Sequence, residues 1–130
     1  VQLEQAPGAP DGRGTPAPVV RTADDVGGRG PLVCAACDRP ITDDDHRVER
    51  GGAHRHTFVN PGGFAYEISC FGVATGCSYR GTPEHAFSWF PGFSWQLAAC
   101  GHCGAHLGWL FRAPDETFHG FIDGRLKPAR

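Results

Sequence analysis

The chain has 130 residues, with 12 basic and 14 acidic side chains and a formal charge of −2. That near balance excludes a polybasic nucleic-acid arm or an acidic tail as the main business of the molecule. No run approaches 18 apolar residues, so no membrane-spanning helix is expected. Gly 19 and Pro 11 are too many for a helix-rich protein and suit short strands joined by turns. With no methionine present, Val1 is expected not to be the native start.

In chain order, residues 1–32 come first and are rich in Gly and Pro, without an aromatic residue. Such a segment buries too little surface to offset the entropy of ordering, so it reads as a flexible leader. Its removal, through about Pro31, is expected to leave metal and ligand affinity unchanged. All aromatics and all 6 cysteines lie beyond it. This predicts one small domain over 33–127, with 128–130 as a tail. A domain of that size gains materially from a metal or disulfide staple.

Cys34-Ala-Ala-Cys37 and Cys100-Gly-His-Cys103 are two Cys-x-x-Cys pairs. Each can wrap a tight knuckle, and together they supply the four tetrahedral sulfurs that structural zinc prefers. Asp38 and Arg39 after the first pair, and Gly104 after the second, suit knuckle turns. Two disulfides or a redox pair are the alternatives, but a redox pair usually opens a helix in a βαβ unit. A Cys₃His site through His102 would waste a complete cysteine pair. A closed four-sulfur site has no open position for chemistry, so the metal supports folding.

His54 and His56 are predicted to share one strand face, and each histidine, His102 and His106 included, to be solvated or hydrogen-bonded. The run Phe64 to Cys70 alternates, placing Phe64, Tyr66, Ile68 and Cys70 on one apolar face. Cys70 and Cys77 are then buried free thiols, since no base stands beside either.

All three tryptophans fall within residues 89–109. Trp89 and Trp95 flank a Phe-Pro-Gly-Phe turn that can bring their rings face to face. Trp95–Ala99 and His106–Phe111 read as antiparallel strands entering and leaving the second knuckle, which carries Trp109 back beside Trp95. Gly108 leaves room for a close backbone approach. Three indoles at turns and strand ends suit a pocket wall, for a cation or a flat neutral ring, better than plain core filling.

Cys34–Cys37, Asn60-Pro61-x-Gly63, Phe87-Ser88-Trp89-Phe90-Pro91-Gly92-Phe93-x-Trp95, Cys100–Cys103 and His106-Leu107-Gly108-Trp109-x-Phe111 together resemble the thalidomide-binding (CULT) domain of cereblon. The resemblance is closer still to its single-domain bacterial relatives. It implies an all-β fold, a β-tent of two antiparallel sheets pinned by a Cys₄ zinc. It also implies a cage of Trp89, Trp95 and Trp109 for cyclic imides, hydantoins and uracil-like rings. Phe111 would line the cage, with Asn60, Pro61 and Tyr66 at its mouth. The imide edge would meet the Phe87 carbonyl and the Trp89 amide, with Ser88 between them. Cereblon carries a histidine where Phe87 stands, so that side-chain bond is absent here, as in the bacterial relatives.

The expected function is therefore a small-molecule binding module in the cytoplasm, with no enzymatic activity. Neither nucleic acid, membrane nor a ligase adaptor is an expected partner. Two alternatives stand beside it. One is a reader of methylated ammonium groups, disfavoured because Glu84 is expected on the far side of Phe87. The other is an enzyme on cyclic amides, for which no activated nucleophile is evident. A methionine-sulfoxide reductase, of the same fold class, would need a cysteine beyond Cys103.

Overall fold

A computed structural model describes residues 30–129. Most of the expected leader, residues 1–29, lies outside the described residues. The chain forms β1 (Pro31–Cys34), β2 (Pro40–Asp43), a 3₁₀ turn (Asp44–His46), β3 (Arg55–Val59), β4 (Ala65–Phe71) and β5 (Cys77–Glu84). Then come β6 (Ser94–Cys100), β7 (His106–Ala113), β8 (Glu116–Ile122) and β9 (Leu126–Pro128). The expected all-β architecture of two antiparallel sheets is what the chain adopts: a three-stranded sheet β2-β1-β9 and a six-stranded sheet β3-β4-β8-β7-β6-β5.

Within the described residues, β1 already includes Pro31 and Leu32. Pro31 pairs with Asp43, and Leu32 is buried between the sheets. At the other end Pro128 pairs with Leu32. A truncation that removes Pro31 would therefore cut into β1.

Alternation along the six-stranded sheet gives it two different faces. One face carries Phe58, Ile68, Cys70, Trp95, Trp109, Phe111 and Phe118, which form the larger core with Trp89 and Phe90. The other face turns Phe71 and Phe121 toward Leu32 and Ile41 of the smaller sheet, with Cys34 and Cys100 in the same cluster. Phe64 departs from the alternating reading. It lies in the turn before β4, half exposed, while Tyr66, Ile68 and Cys70 turn inward as expected. The hairpin turn redirects its side chain before the strand's alternation begins.

The two histidines expected on one face also separate. β3 starts at Arg55, so His54 escapes the alternation and meets the Phe71 ring edge-on, while His56 stacks on Phe58 in the larger core. His56 Nε2 serves the carbonyls of Arg50 and Ala53, at 2.7 and 3.0 Å. On the opposite face the Tyr79 hydroxyl, reaching across the sheet, donates to His119 Nε2 at 2.7 Å. Burial pushes the His119 pKa down to about 4, which keeps the imidazole a neutral acceptor.

Gly108 does permit a close approach, and the approaching group is protein. A Cβ there would lie 2.0 Å from the Gly120 carbonyl oxygen and 2.9 Å from Phe121 Cα. Strands β7 and β8 are neighbours in the ladder here, Gly108 opposite Phe121, and Trp109 stands next to it opposite Gly120. Gly108→Ala is therefore expected to destabilise the domain by about 2 kcal/mol or more, as overpacking against backbone does. Thermal denaturation should show a melting temperature lower by roughly 8 °C or more.

Candidate functional site

Two parts of the chain bring chemistry-bearing residues together. The first is the meeting of the knuckles. Cys34 ends β1 and Cys100 ends β6, so the site joins one sheet to the other. The knuckles share a backbone pattern. In the first, the Asp38 N–H donates to the Cys34 carbonyl (2.8 Å) and the Cys34 N–H to the Arg39 carbonyl (2.8 Å). In the second, the Gly104 N–H donates to the Cys100 carbonyl (3.0 Å) and the Cys100 N–H to the Ala105 carbonyl (2.8 Å). Each reverses through a positive φ directly after its second cysteine, 68° at Asp38 and 80° at Gly104. Those are the turn residues singled out from sequence, and Gly and Asp tolerate this conformation best.

All four Sγ atoms lie within 4.8 Å of one another, with Cys34–Cys103 at 3.7 Å and Cys37–Cys100 at 3.6 Å. These separations are too long for disulfides. They match the edge of a tetrahedron, about 3.8 Å, drawn around a metal with bonds of about 2.3 Å to sulfur. The four cysteines can thus hold a metal ion. Burial opposes ionisation of Cys100, but the amide N–H groups of Cys103 and His102 point at its sulfur and bring its pKa down to about 6. His102 itself is exposed and outside the cluster.

The second part is the aromatic cluster. Two turns in tandem shape residues 85–93. The Ser88 N–H donates to the His85 carbonyl (3.2 Å) with Phe87 at φ 67°, and the Phe93 N–H to the Phe90 carbonyl (3.0 Å) with Gly92 at φ 87°. The second is the Pro91-Gly92 turn expected from sequence. The first forces a bulky residue into a conformation that favours glycine, at a cost of about 1 kcal/mol or more. Ser88 clips the segment between them, its hydroxyl donating to the Phe90 carbonyl (3.1 Å) and accepting the Phe90 N–H (3.3 Å). Among the described residues no hydrogen bond engages the Phe87 carbonyl or the Trp89 N–H.

Trp89 sits between these turns and its indole enters the core. It stacks on Phe58 at 4.4 Å and 9°, and meets Trp109 edge-on at 5.0 Å. The turn therefore brings Trp89 to Phe58 and Trp109 instead of face to face with Trp95. Trp95 uses its indole N–H to hold the Ala86 carbonyl at 2.6 Å, tying the loop to β6. The β6–β7 register pairs Trp95 with Phe111 and Leu97 with Trp109, so Trp95 and Trp109 are diagonal neighbours on one face. Tyr66 meets Trp109 edge-on at 5.2 Å. The three indoles are only 5%, 4% and 0% exposed. Among the described residues the buried indole N–H of Trp89 has no hydrogen-bond partner.

Asn60 is buried and builds the hairpin between β3 and β4. Its side-chain oxygen accepts the Phe64 N–H at 2.9 Å, and its backbone bonds Gly63 and Phe64. Pro61 is half-buried in the same turn. His106 donates toward the Gly108 carbonyl (3.0 Å) and sits edge-on to Trp109 at 5.1 Å, its pKa pushed down to about 4 by burial.

Two residues were missed at the level of sequence and one was misplaced. Phe58 is the platform for Trp89; the alternation His56, Phe58 opposite Tyr66 and Ile68 across the Asn60-Pro61 turn was the available signal. Phe90 packs edge-on against His56, Phe58, Phe111 and Phe118, and so anchors the loop. Glu84, expected on the far side of Phe87, instead pairs directly with Trp95. The extra residues between Arg80 and Glu84 bulge β5 and bring Glu84 back into register.

No family model matches the chain. Curated relatives do: the protein cereblon of Xenopus tropicalis is 38% identical over 76 residues, and that of Gallus gallus 41% identical over 76 residues. Each match covers 55% of this chain and 17% of the relative. The Danio rerio protein is 39% identical over 56 residues, covering 43% of the chain and 13% of the relative. The chain thus matches about a sixth or less of the length of these relatives, and the similarity is consistent with a cereblon-like thalidomide-binding domain. Among the described residues no helix is long and apolar enough to cross a membrane.

Trp95→Phe should release the loop from β6 and leave the Ala86 carbonyl unpaired, a loss of about 1–3 kcal/mol. Chemical denaturation should register that loss, and amide hydrogen exchange should rise across residues 85–93 before it rises in β7 or β8.

Proposed function

We propose that this domain is a binding module for cyclic imides and related flat rings, taken up among Trp89, Trp95 and Trp109. The observation that carries this reading is the pair of backbone groups flanking Ser88. Among the described residues, a carbonyl at Phe87 and an N–H at Trp89 stand without hydrogen-bond partners beside a cluster of indoles. A ring N–H next to a ring carbonyl complements that acceptor and donor. Indoles select for flatness and size, so discrimination falls to the polar edge. Phe111 backs Trp95, and Asn60, Pro61 and Tyr66 form the rim. Because the indoles are closed on one another, a ring enters only as the 85–93 loop shifts Trp89 off Phe58. No strand ladder holds that loop among the described residues, so it can move without breaking a sheet, although the packing of Phe90 must be kept or re-formed.

The four thiolates of Cys34, Cys37, Cys100 and Cys103 would hold one structural zinc, which supplies cross-linking and no catalysis when bound. Thiols that remain free suit a reducing compartment, so we assign the domain to the cytoplasm. The binding reading is preferred to an enzymatic one because burial pushes both remaining thiols, Cys70 and Cys77, up to about 12, far from a nucleophile at neutral pH. No ligase adaptor, nucleic acid or membrane enters the proposal.

Elemental analysis should find one zinc per chain, and a strong chelator should unfold the domain. Titration with glutarimide, hydantoin and uracil should quench tryptophan fluorescence and raise the melting temperature. N-methylglutarimide should bind at least about tenfold worse than glutarimide, because its ring donor is gone and a buried carbonyl stays unpaired. Trp109→Ala should weaken all rings alike. Equal affinity for methylated and unmethylated rings, or tighter binding of tetramethylammonium than of any ring, would overturn the reading.

A further inference from the structure

Strand β5 is the outer edge of the six-stranded sheet, and its residues are exposed from Ser78 to Pro83. Glu84 is different. It is half-buried and is the direct cross-strand partner of Trp95. Directly opposed residues of an antiparallel pair project to the same face, with Cβ atoms about 5 Å apart. The carboxylate-bearing side chain therefore lies on the indole face of the sheet, beside the wall that Trp95 contributes. The Trp95–Ala86 hydrogen bond folds the following residues over the same indole and keeps Glu84 at the edge of the cluster.

No ion pair among the described residues engages Glu84. The cation that shares its face of β5, Arg80, turns its guanidinium to the Gly104 carbonyl at 3.1 Å, toward the knuckles. Arg50, on the far side of the aromatic cluster, is paired with Glu116 and stacked over Phe118. His106, against Trp109, is held neutral by burial. Among the described residues these charges are spent on other partners or held neutral, and none of them pairs with the Glu84 carboxylate beside the cluster.

We infer that Glu84 determines the charge preference of the aromatic site, favouring rings that carry a cationic arm and disfavouring those that carry an anionic one. The inference rests on the ring-binding reading above and adds to it the class of substituent selected. The imide edge faces the Phe87–Trp89 backbone, so a charged arm on the opposite side of the ring is the part free to meet the rim. The mixture of an indole face and one carboxylate attracts an ammonium group twice, through the ring quadrupole and through direct charge.

Three probes test this: glutarimide, glutarimide with an aminomethyl arm, and glutarimide with a carboxymethyl arm, both arms on the carbon opposite the imide nitrogen. Affinities are measured by calorimetry for wild type, Glu84→Gln and Glu84→Lys, each checked for an unchanged circular dichroism spectrum. At low salt the wild type should prefer the aminomethyl ring over the carboxymethyl ring by about fivefold, the size expected of two partly exposed charge terms of opposite sign. The preference should shrink in 0.5 M salt. E84Q should bring the ratio close to one while leaving plain glutarimide within about twofold, and E84K should invert it. An unchanged ratio in E84Q would overturn the inference while the ring-binding reading stands. Failure of all three rings to bind the wild type would overturn both.

Discussion

Four sulfur atoms within 4.8 Å of one another join the end of β1 to the end of β6, and the placement of the aromatic site depends on that junction. The three-stranded sheet shares no ladder with the six-stranded one. It is held by the cysteine cluster, by the small core around Ile41, Phe71 and Phe121, and by a few backbone bonds around His46 and Val48. Cys100 closes β6, the strand that carries Trp95, and the second knuckle turns the chain directly into β7, which carries Trp109. A metal bridging the knuckles at that point would limit how far β6 and β7 can slide or splay. A metal held by the four cysteines would therefore bear on the spacing of Trp95 and Trp109.

Alternation keeps the two tasks apart. Cys70 and Phe71 are consecutive, yet one faces the indoles and the other the core that includes Cys34 and Cys100. The same holds for Gly120 and Phe121 of β8. Gly120 is the small residue in the row Cys70, Gly120, Trp109, Leu97, and a Cβ there would meet Ile68 at 2.8 Å and Phe111 at 3.1 Å. Large rings on neighbouring strands fit because that position carries no side chain, and native packing density leaves little slack for anything else.

The 85–93 loop joins a strained turn to a relaxed one. Phe87 sits at a positive φ, whereas Pro91-Gly92 suits its turn without cost. Between them Ser88 holds Trp89 upright, while Phe90 and Trp95 anchor the segment at both sides. The strain is localised beside two backbone polar groups, the Phe87 carbonyl and the Trp89 N–H, that no hydrogen bond engages among the described residues.

Much was legible in the residues themselves. Cysteine spacing, with Asp38 and Gly104 as turn residues, determined the knuckles, because a Cys-x-x-Cys pair is a local geometry that carries its own turn signals. Pro91-Gly92 and the alternation from Tyr66 to Cys70 are equally local, since turn dihedrals and the two-residue strand period need no distant partner. Tertiary structure decided the rest. His54 and Phe64 lie just outside strand ends, where alternation does not apply. Trp89 rests on Phe58, a contact made across 31 positions of sequence that no local pattern encodes. Glu84 reaches Trp95 only because β5 bulges, and a shift in strand register changes which residues meet across the sheet. Register and long-range packing are settled by the whole set of strands competing for one core, so they emerge only once the chain has folded.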